Sequence, residues 1–317
     1  MSDQSFFRSI SQSQHRREQL GMLARYIIAL ILIAFSLFPV IWIISASLNP
    51  VNSLGTQTLI PENAGLGNYE KLLTDNPFSE IFPYTSWLLN SLKIATVTTL
   101  FSVSITTLAA YSFSRFRFRQ RENTLRAILL IQVFPGILAM VAVFLLILEL
   151  GNVMPIASRD YPLLGVNAGS PFIGLDTHTG LILVYLGGAM GINIWLMKGF
   201  FDSIPREIDE SAMVDGASHW QIFTKLLLPL MRPIIVVVSI LTFIFVYGDF
   251  VMARVLLKTT EQYPLTVGLW IFTSGQFAQQ WGVFAAGALI GALPIMIVYI
   301  LLQDQIVGGL TQGAVKG

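Results

Sequence analysis

The sequence predicts an all-α integral membrane protein with six transmembrane helices and a two-helix loop on the cytoplasmic side. Composition, six long apolar stretches and the distribution of basic residues lead to this fold class. Apolar residues make up 54% of the 317 residues, charged residues make up 12%, and the mean hydropathy is +0.68. This balance is far from that of a soluble domain, so membrane lipid is the expected surrounding. The net charge of +1 gives no electrostatic footprint for nucleic acid.

Six stretches approach the length of about 20 mainly apolar residues that a membrane-spanning helix needs. A cleaved signal sequence is the alternative for the first stretch, because Ser45-Ala46-Ser47 resembles a cleavage site. Its apolar run is too long for a typical signal peptide, which favours a span. The predicted spans are Tyr26–Ala46, Trp87–Phe113, Leu125–Leu150, Gly180–Phe201, Pro233–Met252 and Val283–Leu302.

Basic residues predict the orientation, because cytoplasmic loops of membrane proteins are enriched in Lys and Arg. The loops expected outside hold only Lys71, Arg159, Arg254 and Lys258. We therefore expect a multi-pass membrane protein with both termini in the cytoplasm. The basic residues on the cytoplasmic side are Arg8, Arg16, Arg17, Arg25, Arg115, Arg117, Arg119, Arg121, Arg126, Lys198, Arg206, Lys225, Arg232 and Lys316.

Three segments follow from this topology. Residues 1–25 form a basic cytoplasmic arm, either flexible or an interfacial helix, and residues 303–317 form a cytoplasmic tail. Residues 26–302 form the transmembrane domain, which includes the loop 202–232 between the fourth and fifth spans. The outer loops, rich in Pro, Gly, Asn and Asp, are expected to be turns or short surface helices.

The loop 202–232 carries signals for two short helices. Ser203 is a candidate N-cap with Pro205 inside the first turn, and the acidic residues that follow suit the positive end of the helix dipole. Gly216 is suited to the left-handed position after a helix end. Ser218 and Gln221 have the spacing of a capping box, which predicts a second helix that starts at once.

The second helix is expected to bury Ile222, Phe223, Leu226 and Leu227 on one face, and prolines interrupt it before the fifth span. Small residues between the two helices leave room for a partner surface to approach closely. The chemistry of the helices alone leaves a second interpretation open, in which the loop is a structured linker in the lipid headgroup region. The small residues are Ser211, Ala212, Gly216 and Ala217.

The spacing of residues in this loop resembles the EAA loop of ABC importer permeases. That motif consists of E-A-A, three residues, G, nine further residues and then I-x-L-P. Glu210, Ala212, Gly216 and the sequence Leu226-x-Leu228-Pro229 match it, with Ser211 and Leu226 as conservative departures. The resemblance implies that the loop couples to an ATPase subunit. The residues expected to take part are Glu210, Ser211, Ala212, Asp215, Gly216 and Ala217.

Further stretches are similar to the smaller permease subunit of maltose/maltodextrin importers. They are LLNSLKIA from Leu88, LIQVFP from Leu130, LDTHTGLILVYLGG from Leu175, WGVFAAGALIGALPI from Trp281 and the ending GLTQGAVKG. The resemblance implies sugar import by alternating access, with a homologous second permease subunit, an ATPase dimer and an extracytoplasmic sugar-binding protein as partners. It also implies that residues 309–317 reach the interface of the ATPase dimer, and that ATP and Mg bind the partner. Another oligosaccharide such as trehalose is the alternative substrate.

Polar residues inside a membrane are costly and are therefore candidates for function. Gln132, Asn193 and Trp195 are candidates for a substrate pathway, although amides serve equally in helix-to-helix hydrogen bonds, and packing is the favoured role. Lys93 lies near the outer edge of its span, where its side chain can reach water. Asp249 lies near the outer end of the fifth span.

Two further patterns concern packing and the membrane surface. Gly187/Gly191 and Gly287/Gly291 have the G-x-x-x-G spacing that allows close contact between helices. The run from Arg115 to Arg121 alternates basic and apolar residues at the membrane edge, which favours anchoring at lipid headgroups.

Rival classes of protein find less support in the sequence. An ion-coupled secondary transporter would need a buried proton or cation site, and the spans hold no paired carboxylates. A membrane enzyme would need a cluster of acid–base or metal-ligating residues, and the three histidines are scattered. The chain also lacks a phosphate-binding G-x-x-x-x-G-K-[ST] loop and cysteines. We therefore predict a transport subunit with no catalytic residue, no metal and no cofactor of its own.

Overall fold

A computed structural model describes residues 3–51, 53, 57–74, 77–274 and 280–314. Within these ranges the regular structure is helical, with two isolated bridges, Ile156–Pro171 and Tyr161–Val166, in one connecting loop. The predicted all-α class is confirmed. The last three residues of the predicted tail, which include Lys316, lie outside the described residues.

The described residues form seven longer helices and several short ones, apart from 3₁₀ turns. A π-helical turn, Ile222–Leu227, joins two of the short helices. The helices are α1 Asp3–Leu48, α2 Gly67–Leu73, α3 Pro77–Ile81, α4 Tyr84–Arg115, α5 Arg121–Val133, α6 Gly136–Val153, α7 His178–Ser203, α8 Glu207–Val214, α9 His219–Gln221, α10 Leu228–Leu230, α11 Arg232–Gly248, α12 Val251–Leu256, α13 Leu265–Ile271 and α14 Trp281–Ala314.

Five of the described helical segments are long and apolar enough to cross a membrane, and a bent pair makes a sixth. The bent pair consists of His219–Leu230 and α11, which meet at an angle of 74°. Pro229 and Pro233 flank the bend, and proline disrupts a helix because it lacks a backbone N–H. The predicted interruption before the fifth span is therefore confirmed.

The third span departs from the prediction. The sequence predicted one helix over Leu125–Leu150, but α5 ends at Val133 and α6 begins at Gly136. Phe134 is extended, with φ −71° and ψ 128°. The residue before a proline is driven out of the helical region by the proline ring, so Pro135 accounts for the break.

The fifth span is also shorter than predicted. The sequence placed it over Pro233–Met252, whereas α11 ends at Gly248 and Asp249 is extended. The side chain of Asp249 then accepts hydrogen bonds from the backbone N–H groups of Met252 at 3.0 Å and Ala253 at 3.3 Å, at the start of α12. Asp249 therefore ends one helix and starts the next.

Two apolar clusters occupy opposite ends of the bundle. One includes Trp87 and Phe272, and the other includes Phe201 and Phe223. Both clusters contain residues of α4, α7 and α11, so these three spans form the centre of the fold. We call the end that holds the second cluster the loop end, because residues 204–231 pack there.

Hydrogen bonds from α4 fasten the connection between α12 and α13 at the opposite end. The indole N–H of Trp87 donates to the carbonyl of Thr260 at 2.8 Å, and the amide of Asn90 donates to the carbonyl of Glu261 at 2.7 Å. The side chain of Asp176 accepts from the backbone N–H of Lys258 at 2.8 Å. The short loops at this end are thereby ordered.

The glycine pairs differ in their packing. An added Cβ would lie 2.6 Å from Cδ2 of Leu269 at Gly287 and 2.3 Å from Cδ2 of Leu265 at Gly291, so close contact with α13 at this pair is confirmed. In the other pair, the side chain of Gln132 lies against Gly191, whereas a side chain at Gly187 would meet open space. The expected contact is therefore found at Gly191 and not at Gly187.

The predicted N-terminal arm and the predicted C-terminal tail are each part of a long helix that also contains a span. α1 runs from Asp3 through the basic segment and the first apolar stretch to Leu48, and α14 runs from Trp281 to Ala314. Neither the boundary at residue 25 nor the one at residue 302 coincides with a helix end.

Candidate functional site

The loop between α7 and α11 begins with a short extended connection. α7 ends at Ser203, Ile204 is extended, and Arg206 caps the start of α8 with its carbonyl, which accepts from the backbone N–H of Glu210 at 3.0 Å. The prediction of Ser203 as an N-cap is wrong. Its hydroxyl instead donates to the carbonyl of Phe200 at 2.7 Å, within α7. α8 begins beyond Pro205 because Ile204, like any residue before a proline, is driven into an extended conformation.

The corner of the loop, Asp215–Ala217, is a left-handed helix end. Gly216 has φ +83°. The N–H of Ala217 donates to the carbonyl of Ala212 at 2.9 Å, and the N–H of Gly216 donates to the carbonyl of Met213 at 3.0 Å. This pair of bonds is the Schellman arrangement, in which glycine avoids the steric cost of the left-handed conformation. The predicted end of the first helix at Gly216 is confirmed.

A capping box starts the second helix, as predicted. The hydroxyl of Ser218 accepts from the N–H of Gln221 at 3.3 Å, and the side chain of Gln221 accepts from the N–H of Ser218 at 2.8 Å. Ile222, Phe223 and Leu227 are buried. Leu226 is 38% exposed, so the expected apolar face is narrower than the sequence indicated.

The loop packs on the ends of the central spans through both apolar and charged contacts. The ring of Tyr111 lies 4.9 Å from that of Phe223, centroid to centroid. Arg115 at the end of α4 forms an ion pair with Asp209 of α8, with 2.6 Å between Nε and Oδ2, and both side chains are largely buried. Headgroup anchoring is therefore wrong for Arg115. Arg117 and Arg119 are exposed, as anchoring requires.

The outward side of the loop presents a mixed surface. Among the predicted coupling residues, Glu210, Ser211, Asp215 and Gly216 are exposed, Ala217 is half-buried and Ala212 is buried against the bundle. Three large apolar side chains lie exposed around them: Val214 at 88%, Trp220 at 64% and Met213 at 44%. Sequence reasoning missed these three. The apolar pair Met213-Val214 on the polar helix α8, next to Gly216, was the available signal.

A small cleft opens between α4 and the loop. Its volume is about 100 Å³, and residues of both elements line it, including Tyr111, Arg115, Asp209 and His219. Pockets for small ligands usually measure about 300–1,000 Å³. The cleft is therefore smaller than a typical site for a small ligand.

The three candidates for a substrate pathway do not form one site. Asn193 is buried and donates to the hydroxyl of Thr242 on α11 at 3.0 Å. Gln132 on α5 donates to the carbonyl of Gly188 at 3.3 Å. Trp195 is half-buried, and its buried indole nitrogen has no hydrogen-bond partner among the described residues. Because α7 has about 3.6 residues per turn, Gly188 and Asn193 lie on different faces of this helix.

The two charged candidates from the sequence, Lys93 and Asp249, contact the end of the bundle opposite the loop. Lys93 donates to the carbonyl of Pro162 at 2.9 Å, so its side chain reaches the connection between α6 and α7. Asp249 accepts from the hydroxyl of Tyr185 at 2.8 Å as well as from the start of α12. In the described part of the chain, no group of three His, Asp or Glu residues is placed to hold a metal ion.

The bundle and its loop define a polytopic α-helical membrane protein with a structured loop at one end. Residues 102–309 match the family described as the binding-protein-dependent transport system inner membrane component. The chain belongs to this family, whose members are transport permeases and not enzymes. The predicted relationship to importer permeases is confirmed.

Curated relatives cover nearly the whole chain. The maltose/maltodextrin transport system permease protein MalG of Vibrio vulnificus (strain YJ016) is 40% identical over 288 residues, covering 89% of this chain and 91% of the relative. MalG of Escherichia coli (strain K12) is 36% identical over 311 residues, covering 96% and 99%. The galactooligosaccharides transport system permease protein GanQ of Bacillus subtilis (strain 168) is 36% identical over 301 residues, covering 95% and 98%.

Solved structures share the fold. A chain of a bacterial ABC transporter involved in the import of the acidic polysaccharide alginate matches with a TM-score of 0.70 at 22% identity, covering 91% of this chain and 97% of that one. A chain of a bacterial alginate ABC transporter in complex with an alginate pentasaccharide-bound periplasmic protein matches with a TM-score of 0.63 at 17% identity, covering 89% and 93%.

Proposed function

We propose that this chain is one of two permease subunits of an ATP-driven importer that carries maltose or maltodextrin across the inner membrane by alternating access. Relatives named for this sugar class at 36–40% identity support the assignment. The second permease subunit, an ATPase dimer that binds ATP and Mg, and an extracytoplasmic sugar-binding protein complete the proposed complex. The binding-protein-dependent family supports the last of these partners.

The observation that carries the coupling role is the exposed surface of the loop. Glu210, Ser211 and Asp215 surround a glycine corner that has no neighbouring atom within 4 Å of an added Cβ, and Val214 is 88% exposed beside it. Exposed apolar side chains beside polar ones are typical of protein interfaces. We place the ATPase subunit on this surface and, with the same orientation, the basic arm and the tail in the cytoplasm.

Transport by the reconstituted complex tests the proposal. Proteoliposomes that contain this chain, the second permease and the ATPase subunits are loaded with ATP and incubated with the binding protein and labelled maltotriose. We expect uptake that needs both ATP and the binding protein. Uptake without the ATPase subunits, or uptake driven by a proton gradient alone, would overturn the proposal.

A galacto-oligosaccharide is the second candidate substrate, because GanQ is as similar to this chain as several maltose permeases are. The same vesicles decide between the two sugars when each is offered with the cognate binding protein. Maltotriose uptake with little uptake of the galacto-oligosaccharide is the result we expect.

Gly216→Asp tests the docking surface directly. A carboxylate at the corner adds charge where the partner approaches, and aspartate tolerates the left-handed conformation better than most residues. We expect transport to fall about tenfold or more, within the usual range of coupling between sites, while ATP hydrolysis persists. Gly169→Asp is the matched control, since Gly169 is also left-handed, with φ +82° and open space around it, in a connection at the opposite end. Normal transport by Gly216→Asp would contradict the docking assignment.

A further inference from the structure

We propose that Arg115 and Asp209 link the coupling loop to α4, so that the end of α4 and α8 move as one body when the loop moves. This inference rests on the proposed function, because it describes how a movement of the loop, driven by the ATPase, is transmitted to α4. It makes Arg115 and Asp209 positioning residues. Neither residue is among the predicted coupling residues.

The ion pair joins parts of the chain that are far apart in sequence. Nε of Arg115 lies 2.6 Å from Oδ2 of Asp209, and the two side chains are only 7% and 11% exposed. Removing one partner of a buried pair leaves the other charge uncompensated, which is strongly unfavourable. The pair therefore resists separation far more than an exposed ion pair does.

Reciprocal hydrogen bonds reinforce the ion pair. Nη2 of Arg115 donates to the carbonyl of Ile204 at 3.1 Å, and Nη2 of Arg206 donates to the carbonyl of Ser114 at 3.0 Å. The hydroxyl of Ser114 donates to Oδ1 of Asp202 at 2.6 Å. The Ser114 bond joins α4 to α7, which contains Asp202. We call the ion pair and the two arginine bonds the α4–α8 tie. Each of the two helix ends both gives and receives contacts, so the tie resists sliding and rotation.

The covalent connection from α7 to α8 is a weaker route for motion. Ile204 is extended and Pro205 has no N–H to donate, so the helical hydrogen bonds do not continue from α7 into α8. The contacts with α4, by contrast, include the largely buried ion pair between Arg115 and Asp209. α4 also contributes residues to the apolar clusters at both ends of the bundle, for example Tyr111 and Trp87. A displacement of α8 is thereby carried along a central span to the opposite end.

The first experiment measures transport and ATP hydrolysis separately in the reconstituted complex. The variants are Asp209→Asn, Arg115→Gln and the double variant. We expect each single variant to keep ATP hydrolysis within about twofold and to lose about tenfold in transport, since typical coupling between sites amounts to a 5- to 150-fold effect. Because the two residues act as one contact, the double variant should be no worse than the single ones.

The control is Glu122→Gln, which removes one charge from the exposed Arg126–Glu122 ion pair at 3.3 Å on α5. It should change neither activity. Wild-type rates for Asp209→Asn, or a double variant whose loss is the product of the two single losses, would overturn the link. Failure of the wild-type complex to transport with ATP would instead count against the proposed function.

A distance measurement decides the question even if the variants fail to assemble. The chain has no cysteine, so spin labels can be attached at Glu207→Cys on α8 and Arg117→Cys beyond α4, both exposed positions. We expect the distance between the labels to stay the same when ATP is trapped in the otherwise wild-type complex. A shift or a second distance on ATP trapping would show that α8 moves independently of α4, and would overturn the inference.

Discussion

Two glycines in this chain, Gly216 and Gly268, are required for different physical reasons. Gly216 needs its left-handed backbone, and nothing lies near an added Cβ. Gly268 in α13 has ordinary helical geometry, but an added Cβ would lie 2.1 Å from Cδ2 of Trp87. The first reason is local and was predicted from the sequence. The second depends on packing between α13 and α4, and no local pattern indicates it.

Gly268→Ala is therefore expected to destabilise the protein by about 1–3 kcal/mol, the usual cost of an extra methyl group in a packed core. The check is the midpoint of thermal unfolding of the purified protein in detergent. Gly199→Ala on α7 is the matched control, because an added Cβ there meets open space. Alanine favours helix over glycine, so the control should unfold at the same or a higher temperature. Equal midpoints for both variants would contradict the packing at Gly268.

Helix boundaries show what local chemistry can and cannot predict. Ser218 was correctly predicted as an N-cap because Gln221 completes a reciprocal pair within four residues. Ser203 has no such partner, and its hydroxyl bonds within the preceding helix. Hydropathy likewise predicted the third span as one helix and missed the break at Phe134. An average over a window of residues does not detect the effect of Pro135 on the backbone.

Ser218→Ala is expected to loosen the start of the second loop helix, because the loss of an N-cap costs about 1 kcal/mol. Amide hydrogen exchange should become faster over residues 219–222. Ser203→Ala provides the comparison, since its hydroxyl caps no helix. Faster exchange in α8 for Ser203→Ala, or unchanged exchange for Ser218→Ala, would reverse this assignment of the caps.

At the scale of the whole molecule, the sequence predicted which loops share a side but not which residues meet. Basic residues placed Arg115 and the loop 202–232 on one side, and the structure brings both to the loop end. The pairing of Arg115 with Asp209 follows from the packing of α4 beside α7, which no short pattern encodes. The alternation of Arg with apolar residues therefore predicted that Arg115 binds lipid headgroups, whereas its side chain is buried.

The predicted orientation can be checked with single cysteines, since the natural chain has none. Val214→Cys marks the loop end and Leu163→Cys marks an outer connection, and the native side chains are 88% and 84% exposed. A membrane-impermeant maleimide should label Leu163→Cys in intact spheroplasts and should label Val214→Cys only in inverted vesicles. The opposite pattern would place the exposed surface of the loop outside the cytoplasm, where no ATPase subunit could bind it.

The first span has a consequence for how this sequence can vary. The most apolar 18-residue window of Gly21–Leu48 has none of its residues buried within the chain, whereas Ser45, Ala46, Ser47 and Asn49 just beyond are buried and bonded. Partition into lipid depends on overall hydropathy and hardly on side-chain shape. Within this chain, exchanges among apolar residues in that window are therefore expected to cost little, whereas substitutions at Ser45, Ser47 or Asn49 remove specific hydrogen bonds.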